Sequence, residues 1–433
     1  MNSEDSLFQR LYDGIERLPV IDCHEHILGP KDEIEKKEPI SHIIQGYIQS
    51  DLISAGLSNK ELEILSNNEI STEDKWEIFK KAWEKTEHTA YAKVTKLVMK
   101  DIYGEEKITL DALLRIKDKV LQLNREKYFE LIDKANIKLM LSDILDLERL
   151  KGLIKGTFAI SERIKLLFSL PGFHHNVRDF NFIQSVGEIS DKFITSIDDY
   201  LEVVYELIRR AKEKGVIGIK DQSAYTRSLD YELVPKYEAE KLFDRILSDP
   251  RNSLGWPEAK PLDDYLFHQF MGFAKELDLP VQLHTGHMAG IRNRIEKTNA
   301  IRLTNILELY QDVKFDLFHG NWPYIGEILF LGKNYPNVYL DFCWVNIIDP
   351  VYSEELYTRA LLTVPHTKIN GFGGDYLDAP EFIVSHLKIA KTNMTRALTR
   401  LIRMNWIDEE EAIEIARSWL FENPKELFKL KTD

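Results

Sequence analysis

Basic charge, paired cysteines and long apolar runs are what this chain has little of. Its 57 lysines and arginines face 71 aspartates and glutamates, a net charge of −14. No basic field exists to displace counterions from a nucleic acid or an anionic membrane, so neither is an expected partner. Only Cys23 and Cys343 occur, too few for a disulfide framework. No stretch stays apolar long enough to span a bilayer. The segment from Met1 to Arg17 is acidic and amphipathic, without the apolar run of a signal peptide. These absences lead to the expectation of a cytoplasmic protein acting on a small molecule, with self-association into a homo-oligomer left open.

What the chain does have is core material and rhythm. Of 433 residues, 44% are hydrophobic, and α/β barrels with insertions reach that length. Leu7, Leu11 and Ile15 mark a short helix before a first apolar strand at 18–23, and Gly29-Pro30 then breaks the pattern. Residues 31–136 are charged and helically periodic; Ser71-Thr72-Glu73-Asp74 fits a capping box ahead of Trp76, Phe79 and Trp83. We read this section as an α-helical insertion within one barrel spanning 1–433. Short apolar runs then recur at 137–141, 164–170, 216–220, 281–284, 315–319, 338–341 and 369–372, with helical stripes between the later ones. The run from Pro380 to Leu430 reads as helical with one break near Trp406. Eight strands in this rhythm predict an α/β fold, a (β/α)8 TIM barrel with a large α-helical insertion after the first strand. A doubly wound open sheet competes. The barrel is preferred because ligand-type residues sit at many strand ends and converge only if the sheet closes.

Those residues are His24 and His26 on the first strand, Lys220 on the fourth, His284 on the fifth, His319 on the sixth and Asp375 after the eighth. Side chains alternate along a strand, so Asp22, His24 and His26 are expected on one face, with Cys23 and Glu25 on the other. Several imidazoles with a carboxylate suit zinc, iron, cobalt or manganese. A protonated lysine would repel such a cation. Lys220 fits if it is carboxylated to a carbamate, or if it meets an acidic group of the substrate. Each histidine alone has the plainer reading of a hydrogen-bonded structural residue; the ordered set is what favours ligation. Asp22 reads as a residue that orients a ligand histidine from behind.

Asp-Cys-His-Glu-His at 22–26, Lys220, Gln-Leu-His-Thr-Gly at 282–286, Phe-His-Gly at 318–320 and Gly-Gly-Asp at 373–375 resemble the amidohydrolase superfamily. The closing Glu-Asn-Pro-Lys-Glu-Leu-Phe at 422–428 resembles its amidohydrolase-2 branch, and the insertion with the Leu-His-Thr-Gly region is similar to uronate isomerases. The resemblance implies one divalent ion, zinc first with manganese or iron as alternatives, held by His24, His26 and Asp375. It also implies a second ion at His284 and His319, bridged by a carboxylated Lys220. Asp375 would then carry the proton between water and leaving group. Hydrolysis of a C–N or C–O bond beside a carbonyl in a small acidic substrate is the leading expectation. Isomerisation of a sugar acid and metal-dependent decarboxylation stay open beside it.

Softer candidates lie in the loops after the strands. Arg178, Arg227 and Arg292 are candidate clamps for a substrate carboxylate, and Tyr225 and Trp322 candidate walls of its pocket. The plain alternative for each arginine is a solvated surface residue, and for each aromatic it is packing. Trp76 and Trp83 read as core of the insertion.

Overall fold

The computed structural model describes residues 3–27, 34–143, 145–158 and 160–431. The Gly29-Pro30 break and the first residues expected in the insertion, 31–33, lie outside that set. Among the described residues there are eight strands: β1 (Val20–Glu25), β2 (Ile137–Ser142), β3 (Ile164–Ser169), β4 (Gly218–Asp221), β5 (Val281–Leu283), β6 (Phe315–Leu317), β7 (Val338–Asp341) and β8 (Ile369–Asn370). They belong to one sheet in chain order, β1 through β8, as a (β/α)8 barrel requires. Between β1 and β2 the described chain is helical, from Pro39–Ile43 to Arg125–Lys134. β5 and β6 end just before His284 and His319, earlier than the apolar runs suggest. The chain turns there: Gly286 and His319 both have left-handed backbone, φ +71° and +62°, which a strand cannot continue through.

By internal contacts the chain divides into two units. One comprises Met1–Met140, His287–Arg294 and Asp341–Asn423; the other comprises Leu141–Gly286, Ile295–Leu340 and Pro424–Asp433. In the second unit β3 to β7 pair in parallel, with Lys220 opposite Gln282, Gln282 opposite Asp316, and Asp316 opposite Tyr339. Every residue of β4, β5 and β6 is buried, which explains why these strands read as short unbroken apolar runs. Gly218 has no room for a side chain, since a Cβ would stand 3.0 Å from both Leu167 and the Pro280 carbonyl.

In the first unit the long helix Pro380–Arg403 packs on Ser3–Glu16 and on Pro350–Thr363. The inserted helices bury Ile40, Ile43, Phe79, Trp83, Leu113 and Ile116; Trp83 stacks on Phe79 with ring centroids 5.6 Å apart. Ser71 caps its helix through the Asp74 amide, but Asp74 meets only the Ser71 hydroxyl. Reciprocal boxes form instead where the third residue is the longer glutamate, at Ser58/Glu61 and Asp408/Glu411. A buried ion pair ties the insertion together: Lys75 Nζ donates to Glu38 Oε2 and Ser41 Oγ, each at 2.7 Å. Glu38 Oε2 also accepts the amides of Ile40 and Ser41 that open the next helix. Removing one partner leaves the other charge buried, so Lys75→Met should cost about 3 kcal/mol in urea unfolding. A loss under 0.5 kcal/mol would show that the pair is dispensable.

Candidate active site

The catalytic candidates of the first unit are assembled by backbone pairing. β1 runs beside the chain that follows β8: the Cys23 amide donates to the Phe372 carbonyl (3.1 Å), Asp375 to His24 (2.8 Å) and His26 to Tyr376 (3.0 Å). This ladder sets Asp375 against both histidines. Asp375 Oδ1 lies 3.0 Å from His26 Nε2 and 3.5 Å from His24 Nε2, and the two imidazoles meet edge to face at 4.8 Å. Ligands at about 2.0–2.1 Å from a tetrahedral zinc stand about 3.3 Å apart. These three groups therefore suit one divalent ion in both spacing and chemistry.

Asp375 has left-handed backbone, φ +63°, uncommon for a residue with a side chain. Its neighbours explain how it is held. Asp22 Oδ1 accepts the amides of His24 (3.2 Å) and Gly374 (3.1 Å), while Glu25 Oε2 accepts that of Tyr376 (2.8 Å). Asp22 thus grips backbone rather than an imidazole, a correction to its expected role. Nor does strand alternation keep Asp22 and Glu25 apart: both carboxyl groups crowd the space where a Cβ of Gly374 would be, 1.9 Å from Glu25 Oε1 and 3.4 Å from Asp22 Oδ2. Burial pushes Asp22 up to about 7, against hydrogen bonds from Glu25 and the Gly374 and His24 amides that pull it down; burial and then the neighbouring Asp22 push Glu25 well above the usual carboxylate range.

The insertion reaches this cluster, which the sequence did not reveal. Tyr47 donates its hydroxyl to the Asp375 carbonyl. Its ring stacks on Trp344 at 4.2 Å, with Tyr91 beyond at 6.4 Å from Trp344 and His287 at 5.0 Å. Burial pushes His287 down to about 4, so it is neutral at physiological pH. The result is an aromatic wall beside Asp375. Arg292, by contrast, is exposed on the segment that follows His287.

The second unit gathers Lys220, His284, His319 and Tyr225. His319 Nε2 is 3.1 Å from His284 Nδ1, and the Tyr225 ring stands at 4.8 Å from His284. Lys220 is buried with Nζ 3.4 Å over the Phe318 ring, a contact that favours a cation. Trp322 is half-buried, and its backbone blocks any side chain at Gly286, where a Cβ would approach its carbonyl to 2.6 Å.

Arg178 and Arg227 belong to a separate cluster, and the reading of Arg227 as a substrate clamp is corrected. Arg227 is fully buried, 3.0 Å from Asp263 and 2.5 Å from Asp264. Arg178 lies 2.8 Å from the His175 ring and over Trp256. They join a network behind β4 in which His174 bridges Asp221 (2.6 Å) and Asp263, and Ser223 bonds Asp221 and Tyr231. Since Asp221 follows Lys220, the network anchors the strand end that carries the lysine. The Arg227 guanidinium, buried against two carboxylates, is consumed by the fold and not offered to a ligand.

Comparisons with known proteins bear on the fold and on part of the chain. Residues 192–383 match the family model described as Amidohydrolase. Over that segment, a little under half of the chain, the sequence is similar to this family. The structure of a uronate isomerase from Thermotoga maritima matches 99% of this chain and 99% of its own, with TM-score 0.77 and 16% identity. A Lactobacillus casei protein assigned as a metal-dependent hydrolase matches 97% of both chains, with TM-score 0.64 and 18% identity. At such identities the likeness establishes the fold, the (β/α)8 barrel. Protein fluG of Emericella nidulans is 27% identical over 227 residues, which take in 50% of this chain and 26% of that longer protein.

The buried imidazole of His174 gives this chain a pH signature. Burial alone would lower its pKa, but Asp263 and Asp221 hold it up at about 9 against the usual 6.5. A raised pKa gives stability that is complete below 6.5 and lost as pH climbs through 9. Urea unfolding should therefore show stability falling by a few kcal/mol between pH 7 and 10. Asp221→Asn should move that fall to lower pH; an unchanged profile would remove His174 as its source.

Proposed function

We propose that this chain is a metal-dependent hydrolase cleaving a C–N or C–O bond beside a carbonyl in a small acidic substrate. The observation that carries the reading is the spacing of His24, His26 and Asp375, 3.0 and 3.5 Å between imidazole nitrogens and one carboxylate oxygen. A divalent ion held by these three supplies Lewis acidity, polarising a carbonyl and acidifying water. Zinc fits the nitrogen-rich donors, and manganese or iron would be tolerated. Asp375 is the proton carrier: its carboxylate takes a proton from the attacking water and returns it to the leaving group. Tyr47 fixes the main chain of Asp375, and the Tyr47–Trp344 face excludes water on that side and offers a planar surface to the substrate.

His284 and His319 form a second nitrogen pair with its own capacity for a cation, while the Lys220 contact with Phe318 favours an ammonium over a carbamate. Isomerisation of a sugar acid is the second reading. It is supported by the likeness to the T. maritima uronate isomerase, which takes in 99% of this chain, the inserted helices included.

Metal analysis of the purified protein, followed by turnover of N-acyl amino acids, lactones and hexuronates after loading with zinc, manganese or iron, tests both. Hydrolysis of an amide or lactone is the expected result; ketose formation from a uronate would replace it by the second reading. Asp375→Asn should retain part of the metal and lose about 10²–10⁴-fold in kcat. His24→Ala should lose the metal as well. Full activity in either variant would dismantle the proposed site.

A further inference from the structure

A cavity of about 340 Å³ opens in the first unit near the start of β1, away from the histidines at its end. It lies between the N-terminal helix, the end of the helix leading into β2 and the middle of the helix Pro380–Arg403. Ile102, Leu131, Val384 and Leu387 give it an apolar lining. Lys134, Lys388 and Lys391 surround that lining, against the carboxylates of Glu16 and Asp101. Lys388 is paired with Asp101 at 2.7 Å. Lys391 is buried and donates to the Glu16 main-chain carbonyl at 2.8 Å, an uncharged acceptor. Burial pushes its pKa down to about 8, although the Glu16 carboxylate pulls the other way. Ser385, also buried, lines the same cavity with a hydroxyl that has no hydrogen-bond partner among the described residues.

Each feature asks for the same occupant. A buried ammonium held by a carbonyl gains from an anion brought beside it, since a charge-assisted hydrogen bond is stronger than a neutral one. An unpaired buried hydroxyl gains from an acceptor. Three ammonium groups against two carboxylates leave one positive charge in excess, which suits a monoanion. The lining takes an apolar body, and the volume falls within the range of small-molecule sites. We infer that this cavity is a second binding site, for a small monocarboxylate with an apolar body, its carboxylate received by Lys391 and Ser385. The inference is independent of the proposed reaction.

Calorimetric titration of the full chain with octanoate, and with octylammonium as the cationic counterpart, tests it. Octanoate should bind saturably with one-to-one stoichiometry, and octylammonium at least tenfold more weakly. Lys391→Met should weaken octanoate at least tenfold. Val384→Trp, which fills the cavity from a partly exposed position, should abolish binding even if the lysine variant fails to fold. His24→Ala should leave octanoate affinity unchanged, separating this site from the catalytic candidates. Absent saturation, equal affinity in wild type and Val384→Trp, or loss of binding in His24→Ala would each overturn the assignment.

Discussion

The hydrogen bonds between β1 and the chain after β8 are what the candidate chemistry depends on. They are ordinary amide-to-carbonyl bonds, but they align residues some 350 positions apart so that Asp375 falls beside His24 and His26. Side-chain affinity could not do this, because two imidazoles and a carboxylate have no reason to meet until the backbone brings them together. Gly373 and Gly374 make the approach possible: a Cβ on Gly373 would stand 2.7 Å from Cys343 Sγ, and one on Gly374 would strike Glu25. Glycine is demanded here by close packing, which is why Gly-Gly-Asp was informative as a unit.

The strand-end candidates can be named from sequence because they follow from two simple regularities. Short apolar runs mark buried strands, and although one titratable residue at the end of such a run reads as structural, an ordered set of them at successive strand ends points to a shared site. His24, His26, Lys220, His284 and His319 all announced themselves in that way. Arg227 did not sort correctly, since its partners hide on a helix. Asp263 and Asp264 open Lys260–Glu276 and would read as a solvated first turn, yet both are buried. An amphipathic pattern gives the mean direction of a helix face, not which acid turns inward to meet Arg227. Tyr47 was invisible for a related reason. One aromatic among many in a helical stretch carries no mark that distinguishes packing inside the insertion from contact with the residue that would do catalysis.

Two kinds of buried charge support the candidate groups, and they work differently. Behind β4 the network is charge-balanced by pairing: Arg227 and His174 stand against Asp221, Asp263 and Asp264, with Lys260 reaching Asp264 at 2.5 Å. Desolvation of so many ions makes such a network weak as a source of net stability but severe when one member is removed. Under Asp375 the solution is protonation. Asp22 and Glu25 meet no cation among the described residues, and burial favours their protonated forms instead. A neutral or singly charged pair lets both carboxyl groups accept amides from the 374–376 turn without adding a full second negative charge beneath it.

The insertion then acquires a physical purpose beyond bulk. Asp375 and Trp344 both sit in left-handed backbone, at φ +63° and +60°, each at a cost of order 1–3 kcal/mol. Tyr47 opposes both at once, its hydroxyl on the Asp375 carbonyl and its ring on the Trp344 indole. Removing roughly 100 Å² of a half-buried tyrosine from water contributes about 2.5 kcal/mol, and a stacked aromatic pair about 0.5–1.5 kcal/mol more. The two sides are comparable, so the strain is held rather than abolished. A barrel without the inserted helices would keep the bonds from β1, Asp22 and Glu25 to the Asp375 turn but lose the Tyr47 hydroxyl and ring that brace it from the other side.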